Sequence, residues 1–185
     1  MRVIAGKYKG RKLKQVPGTT TRPTTDKIKE AVFHKMGPYF QGGICLDLFA
    51  GSGSLAIEAL SRGMNEAICI DQSKTAIRII RENISALQLE KECYIYRNDA
   101  LRALKILHRK QQTFDLICID PPYDSPFYDR IITYIIENKM INDRGYMYVE
   151  YATEKQRIPR FNTFDIVFER TYSSTTSVLV LKNIT

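Results

Sequence analysis

Residues 44–60 read ICLDLFAGSGSLAIEAL, and this stretch decides the fold. Its first six residues have the length and branching of a buried strand, and residues 54–62 follow a helical pattern. The same order recurs further along the chain, with predicted strands at 66–71, 93–97, 114–120 and 146–151 and helices near 73–88, 99–110 and 126–139. Alternation of this kind predicts a parallel sheet with right-handed helical crossovers.

Both ends of the chain depart from that alternation. FDIVFERTY (164–172) and TTSVLVLK (175–182) predict a hairpin, so the Rossmann-like, mostly parallel seven-stranded sheet should finish antiparallel. Residues 2–16 predict a short hairpin that forms an arm rather than part of the core, followed by a helix capped by Thr24 or Thr25. We therefore expect a small extension at 1–40 and an α/β domain at 41–185.

Composition excludes several classes of protein. Apolar content of 44% and charged content of 26% are typical of a globular protein, and no apolar run approaches the ~20 residues that span a bilayer. Only three apolar residues adjoin near the start, too few for a signal peptide, so we expect a cytoplasmic location. The four cysteines and two histidines are isolated, which predicts buried thiols and no metal site.

The net charge of +8 is confined to the first fifth of the chain. Residues 1–35 hold ten basic and two acidic side chains, and the remaining residues balance. Such a concentration favours contact with a phosphate backbone, the alternative being a solvated face without a partner. The candidate nucleic-acid contacts are Arg2, Lys7, Lys9, Arg11, Lys12, Lys14 and Arg22.

The turn after the first strand has the pattern of a nucleotide-cofactor loop. Gly51, Gly53 and Ala56 fit G-x-G-x-x-G/A, and Asp71 ends the next strand, where it can accept both hydroxyls of a ribose. The pattern predicts an adenosine-containing cofactor; the alternative is a tight turn that binds nothing.

Asp47 narrows the choice of cofactor. A carboxylate four residues before the first glycine would repel the pyrophosphate of a dinucleotide but would attract the sulfonium and ammonium groups of S-adenosylmethionine. Asp99, after the third strand, is placed to accept a hydrogen bond from the adenine amino group, although an aspartate at a helix start is often only its N-cap.

Residues 114–124, FDLICIDPPYD, predict the reacting site. Pro121 and Pro122 cannot continue a strand, so they hold the Asp120 carboxylate and the Pro121 carbonyl in a stiff arrangement. Two such acceptors suit the –NH2 group of a nucleobase, whose lone pair they free for attack, and the carboxylate stabilises the positive charge that develops on nitrogen. Tyr123 offers a ring on which the base can stack.

These residues resemble those of the bacterial small-subunit (16S) ribosomal RNA guanine-N2 methyltransferases. The likeness spans the chain and rests on MRVIAGKYKGRKL, TRPTTDKIKEAVF, LDLFAGSGSLAIEALSRG and FDLICIDPPY. It implies a Rossmann-like S-adenosylmethionine-dependent methyltransferase that modifies N2 of one guanine in 16S rRNA, within the small ribosomal subunit or its assembly intermediate. The resemblance implies cofactor contacts at Asp47, Phe49, Gly51, Gly53, Asp71, Asp99 and Ala100, and base contacts at Asp120, Pro121, Pro122 and Tyr123.

Three other functions stay open on the sequence. A DNA adenine or cytosine amino methyltransferase shares DPPY, but 185 residues leave no evident domain for reading a DNA sequence. A dehydrogenase or nucleotide-binding module would share the glycine loop. A non-catalytic RNA-binding assembly factor would explain the basic segment and leave DPPY unexplained.

Overall fold

Strands and helices alternate along the chain from Ile44 to Tyr151, as the sequence predicts. The computed structural model describes residues 1–17, 26–121, 128–153, 161–172 and 176–185. In chain order its elements are α1 (Asp26–Met36), β1 (Ile44–Asp47), α2 (Ser54–Ser61), β2 (Glu66–Asp71), α3 (Lys74–Ala86), β3 (Cys93–Arg97), α4 (Ala100–Arg109), β4 (Phe114–Ile119), α5 (Tyr128–Glu137), β5 (Ile141–Tyr151), β6 (Phe164–Thr171) and β7 (Ser177–Asn183). Thr24 and Thr25, the predicted caps of α1, lie outside the described residues.

The seven strands form one sheet in the order β3-β2-β1-β4-β5-β7-β6. The first five positions in that order are parallel neighbours, and β7 pairs antiparallel with both β5 and β6. The predicted antiparallel finish is therefore confirmed. After β3 the chain crosses to β4 on the other side of β1, so the strand order reverses between β1 and β4, which is where open α/β sheets bind ligands.

Apolar side chains cover both faces of the sheet in two core clusters. One joins α1, α2 and α3 to the face that carries Cys45 and Cys118. The other joins α4 and α5 to the opposite face, which carries Leu46 and Ile117. All four cysteines are buried and unbridged, as predicted. Within the described ranges, none of the helices is both long enough and apolar enough to cross a membrane.

β5 begins five residues before the predicted strand. Its first residues, INDRG, have no apolar alternation, so the pattern gave no signal. The register against β4 shifts between Phe114 and Leu116, and Arg144 has a positive φ of 60°. A bulge of this kind leaves the polar residues out of the regular pairing while the strand continues.

The N-terminal segment, residues 1–17, is not the free arm that the sequence predicts. Its hairpin is closed by one antiparallel bridge, between Arg2 and Lys12. Val3 and Leu13 are only 1% and 7% exposed and belong to the core cluster of α1 and α2. The expectation of an arm outside the core was wrong because these two apolar side chains have a helix surface to pack against.

Candidate active site at the carboxyl edge of the sheet

The glycine turn after β1 and the end of β2 are tied together. Gly51 and Gly53 have φ of 55° and 78°, a region that side chains other than glycine rarely adopt. The Gly51 N–H donates to Oδ2 of Asp71 at 2.9 Å, and the Ser73 N–H donates to its Oδ1 at 2.8 Å. Each carboxylate oxygen keeps a free lone pair, so Asp71 can hold the turn and still accept a hydrogen bond from a hydroxyl group.

The backbone at Gly51 also leaves room for a ligand. A Cβ at this position would meet nothing closer than the Phe49 carbonyl oxygen, at 3.9 Å. Phe49 itself is half-buried beside the turn. The turn therefore has space beside Gly51, and its contact with a cofactor stays a prediction.

Asp47 is the most unusual group of this site. It is 1% exposed, and burial raises its pKa to about 7, with the Asp71 carboxylate adding to the rise. Among the described residues neither Asp47 oxygen has a donor at hydrogen-bonding geometry, although the N–H groups of Ala56 and Phe49 lie near enough to offset part of the shift. A buried carboxyl group without partners costs stability unless something cationic joins it.

Register places Asp47 in a row with other carboxylates. Asp47 pairs with Cys69 on β2 and with Cys118 on β4. Asp71 and Asp120 lie two residues beyond those cysteines, so their side chains point to the same face of the sheet. The carboxyl groups of Asp71, Asp47 and Asp120 thus follow one another across three neighbouring strands, and this arrangement favours a cationic ligand over an anionic one.

β5 adds a fourth acid, Glu150, that the sequence reasoning missed. Tyr148 pairs with Cys118, which puts Glu150 beside Asp120 on the same face. Glu150 is 3% exposed, and its Oε2 accepts a 2.7 Å hydrogen bond from the Tyr148 hydroxyl. The available signal was an acid near the carboxyl end of an apolar strand, as in β1 and β2 and just after β4. Asp71, Asp47, Asp120 and Glu150 are called the acidic row below.

Asp99 is the N-cap of α4, the alternative that the sequence left open. Its Oδ1 accepts from the Arg102 N–H at 2.9 Å, and its Oδ2 accepts from the Gln72 side chain at 3.1 Å. Ala100 follows it as the first, buried residue of the helix. Both lie at the same edge as the acidic row, and their contact with adenine stays a prediction.

Asp120 and Pro121 follow directly on β4, as predicted. Asp120 is half-buried and Pro121 is buried. Because β1 and β4 are hydrogen-bonded neighbours, the tips that carry the glycine turn and Asp120 lie side by side. Pro122 and Tyr123, the other predicted contacts of the base, lie outside the described residues.

The predicted nucleic-acid contacts divide into two groups. Arg2 and Lys14 form exposed ion pairs with Asp26 and Glu82, at 3.2 and 2.9 Å. Lys7, Lys9, Arg11 and Lys12 are exposed on the hairpin, where Lys7 lies over the Tyr8 ring and Arg11 donates to the Ala86 carbonyl. Arg22 lies outside the described residues.

Lys29 contributes to the positive charge counted in the first 35 residues, but the fold removes it from the surface. It is fully buried, and burial lowers its pKa while Glu58 opposes that shift. Its Nζ lies 3.6 Å from Glu58 and donates to the Arg2 carbonyl at 2.7 Å. Lys29 is therefore a structural ion, not a contact for RNA.

The N-terminal segment is anchored on α2 by contacts that no local pattern could reveal. Glu58 accepts from the N–H groups of Ile4 and Ala5, at 2.8 and 3.1 Å, and from Arg62 Nε at 2.7 Å. Ser61 donates to the Ala5 carbonyl at 2.6 Å. All of these partners, Arg62 apart, are more than fifty residues away along the chain.

Asn83 of α3 links the same segment to the glycine turn. Its amide donates to the carbonyls of Lys14 and Ser52, at 3.0 and 2.9 Å, and its oxygen accepts from the Lys14 N–H at 2.8 Å. The basic hairpin is thus held at a fixed position beside the candidate cofactor site.

Known proteins resemble this chain over most of its length. "Putative rRNA methyltransferase YlbH" of Bacillus subtilis is 48% identical over 83% of this chain and 84% of its own. "Ribosomal RNA small subunit methyltransferase D" of Haemophilus influenzae is 35% identical over 85% and 82%. A solved structure, "Putative methyltransferase yhhF from Escherichia coli", superimposes with a TM-score of 0.82 at 27% identity and covers 100% of this chain and 99% of that one.

The sheet with its antiparallel β7 is therefore the fold of these methyltransferases. A family model, described as conserved hypothetical protein 95, matches residues 1–181, which includes the N-terminal segment as well as the α/β sheet. The chain belongs to the conserved hypothetical protein 95 family, together with the ribosomal RNA small subunit methyltransferases D that it resembles.

Proposed function

We propose that the protein transfers a methyl group from S-adenosylmethionine to the exocyclic N2 of a guanine in 16S rRNA. The observation that carries the proposal is the acidic row at the point where strand order reverses, with Asp47 buried behind the glycine turn and Asp120 at the neighbouring strand tip. The names of the relatives support an rRNA substrate, and the likeness stated above supports the guanine.

The residues at the edge of the sheet fit this donor better than a dinucleotide. A pyrophosphate would meet the carboxylates of Asp47 and Asp71 across the glycine turn, whereas a sulfonium and an ammonium group would neutralise them. Asp71 would hold the ribose, and Asp99 with the Ala100 N–H would hold the adenine. S-adenosylmethionine supplies an electrophilic methyl group.

Asp120 would act on the nucleophile. The Asp120 carboxylate and the Pro121 carbonyl would accept the two hydrogens of the guanine amine, which draws its lone pair out of the ring and aims it at the methyl carbon. The carboxylate then stabilises the cationic nitrogen of the transition state, and the proton leaves after transfer because the alkylated nitrogen is acidic. Tyr123 and Pro122 would complete the wall against which the flipped base stacks.

The N-terminal segment would hold the RNA. Its hairpin presents four exposed cations, Lys7, Lys9, Arg11 and Lys12, and Asn83 holds it next to the glycine turn. Residues 1–40 would therefore contact phosphates of rRNA in the small subunit or its assembly intermediate, while residues 41–185 carry out the transfer.

Small subunits from a strain that lacks the gene provide the test. We expect incubation with the protein and S-adenosylmethionine to produce one N2-methylguanine in 16S rRNA, identified by mass spectrometry of the nucleosides and mapped by digestion. Transfer to an adenine, or to duplex DNA alone, would contradict the substrate.

A further inference from the structure

A second cationic surface lies away from the N-terminal segment. Four basic side chains, all exposed, lie on or directly after α4, and two tyrosines of the edge strand β3 are 41% and 53% exposed. We name this the α4 surface; its members are Arg102, Lys105, Arg109, Lys110, Tyr94 and Tyr96.

Register shows that the tyrosines and the helix share one face of the sheet. Tyr94 and Tyr96 pair with Ile68 and Ile70 of β2. Ile70 belongs to the core cluster of α4 and Ile68 packs against it, whereas the N-terminal segment belongs to the other cluster. The α4 surface and the N-terminal segment therefore lie on opposite faces of the sheet.

The charge of this surface is not neutralised. Residues 100–113 contain no aspartate or glutamate. None of the four basic side chains forms an ion pair with another described residue, in contrast to Arg2 and Lys14 of the N-terminal segment. Arg102, Lys105 and Arg109 are spaced three and four residues apart, so they form one stripe along the helix.

The stripe begins at the candidate site. α4 starts directly after Asp99 at the carboxyl edge, and its ten residues extend about 15 Å from there. The pairing of cations with exposed tyrosine rings fits a strand of RNA, because the cations meet phosphates and the rings offer stacking faces to bases. An acidic protein would satisfy the charges but would leave the rings without a specific role.

We propose that the α4 surface is a second RNA-binding surface, which holds rRNA flanking the target nucleotide on the face opposite the N-terminal segment. The inference rests on the proposed function. Together the two surfaces would grip the RNA on both sides of the carboxyl edge, so that the target base enters between them.

Paired charge reversals test this surface. Arg102→Glu/Arg109→Glu removes two cations from the stripe, and Lys139→Glu/Arg144→Glu makes the same change of charge at exposed sites around the start of β5, which lies four positions from β3 in the sheet. For protein-free 16S rRNA we expect the first variant to bind at least tenfold more weakly than the second. The slope of log K against log salt should fall by about 1.4 to 1.8, the value for two lost phosphate contacts.

Tyr96→Ala should weaken rRNA binding about tenfold without changing the salt slope, because stacking is not ionic. Binding of S-adenosylmethionine and turnover at saturating substrate should equal those of the unchanged protein in all three variants.

Equal rRNA affinity of the two charge variants would overturn the inference. A loss of affinity for intact small subunits but not for free rRNA would also overturn it, because that result would identify a ribosomal protein as the partner. Absence of methyl transfer by the unchanged protein would refute the proposed function instead, and the binding comparison would still decide the surface.

Discussion

At the scale of single residues, Asp47 couples stability to pH. Its pKa is about 7 in the folded chain against an ordinary value of 3.8, so between those pH values the folded state binds the additional proton. The free energy of unfolding therefore decreases as pH rises from about 4 to 7 and levels off above that. Binding of a cation beside the ionised carboxylate would offset this decrease in the free energy of unfolding.

Affinity for S-adenosylmethionine should increase as pH rises from 5.5 to 7.5, because the cation favours the ionised form of Asp47. Isothermal titration calorimetry in buffers of different ionisation enthalpy should detect release of a proton on binding. Asp47→Asn should bind more weakly, without proton release, and should unfold at higher temperature than the unchanged protein at pH 8 when no cofactor is present. Proton release that persists in this variant would assign the titration to another group.

Asp120→Ala should retain S-adenosylmethionine binding and lose most turnover. In the proposed mechanism the carboxylate acts on the nucleophile and on charge that develops in the transition state, and removal of one such group commonly costs 10²- to 10³-fold in rate. Asp129→Ala, on the exposed face of α5, is the matched control and should keep full activity. Equal loss of cofactor affinity and turnover in Asp120→Ala would argue that this side chain only shapes the site.

Sequence reasoning identified the candidate residues of the site that lie at the ends of strands. Asp47, Asp71 and Asp120 each interrupt or follow an apolar run, so they stand out without a structure. Glu150 was missed because YMYVEY continues with tyrosine after the acid. Asn83 and Glu58 could not be found, because their partners are set by packing between distant elements and not by a local pattern.

At the scale of elements, α2 does two tasks at once. Its start follows directly on the glycine turn, whose Gly53 is the N-cap, and its later residues Glu58 and Ser61 anchor the N-terminal segment. The buried Glu58 carries ion pairs to both Lys29 and Arg62, so removing it would leave two cations without their partner.

We expect Glu58→Ala to lower the free energy of unfolding by about 3 to 5 kcal/mol, measured by urea denaturation. Glu82→Ala, which loses exposed pairs, should cost under about 1 kcal/mol.

Two glycines of the N-terminal hairpin form a matched pair. Gly6 and Gly10 share a φ of 83°, but a Cβ on Gly6 would overlap the Ser61 carbonyl, while one on Gly10 would meet nothing within 4 Å. Gly10→Ala should therefore cost only the strain of its backbone, about 1 to 2 kcal/mol. Gly6→Ala should also release the hairpin from α2.

Hydrogen exchange distinguishes these variants. The amides of Ile4 and Ala5 donate to Glu58, so they should exchange faster in Gly6→Ala and stay protected in Gly10→Ala. Equal protection in the two variants would show that the hairpin does not depend on close approach to Ser61. Weaker rRNA binding by Gly6→Ala alone would add that the RNA requires a fixed hairpin.

Most elements could be predicted because strands and helices differ in period. β2 and β3 have the predicted bounds, and the other predicted strands and helices overlap the observed ones. The start of β5 could not be predicted, since only Ile141 pairs with β4 there, through Phe114, and the polar residues that follow lie where the register shifts. The hairpin of residues 1–17 is likewise held by tertiary contacts more than by its own pairing.

At the scale of the whole molecule, the N-terminal segment and the α/β sheet share one core. Val3 and Leu13 of the segment, with Phe33 of α1, belong to the cluster that includes Ala56 and Cys45. Removal of residues 1–40 would expose that cluster and leave Glu58 and Arg62 without several partners. We expect residues 41–185 alone to show no cooperative unfolding transition by circular dichroism. A melting temperature within about 5 °C of that of the full chain would show instead that the two parts are independent.

The whole-chain charge was predicted only in part. A sum over residues 36–185 is neutral, but the fold gathers the cations of α4 on one face and the carboxylates of the acidic row inside the site. A net charge summed along the sequence hides a basic surface and an acidic site that cancel each other. The strand order could be inferred between β1 and β4, whereas the position of β7 between β5 and β6 depends on non-local pairing.

That position has a consequence for synthesis on the ribosome. β6 leaves the exit tunnel before β7, yet it joins the sheet only through β7. While translation continues, β5 has an unpaired edge and β6 lacks the neighbouring strand through which it joins the sheet. The sheet can therefore be completed only after residues 177–183 emerge. A nascent chain stalled before them would expose the unpaired edge of β5 to chaperones.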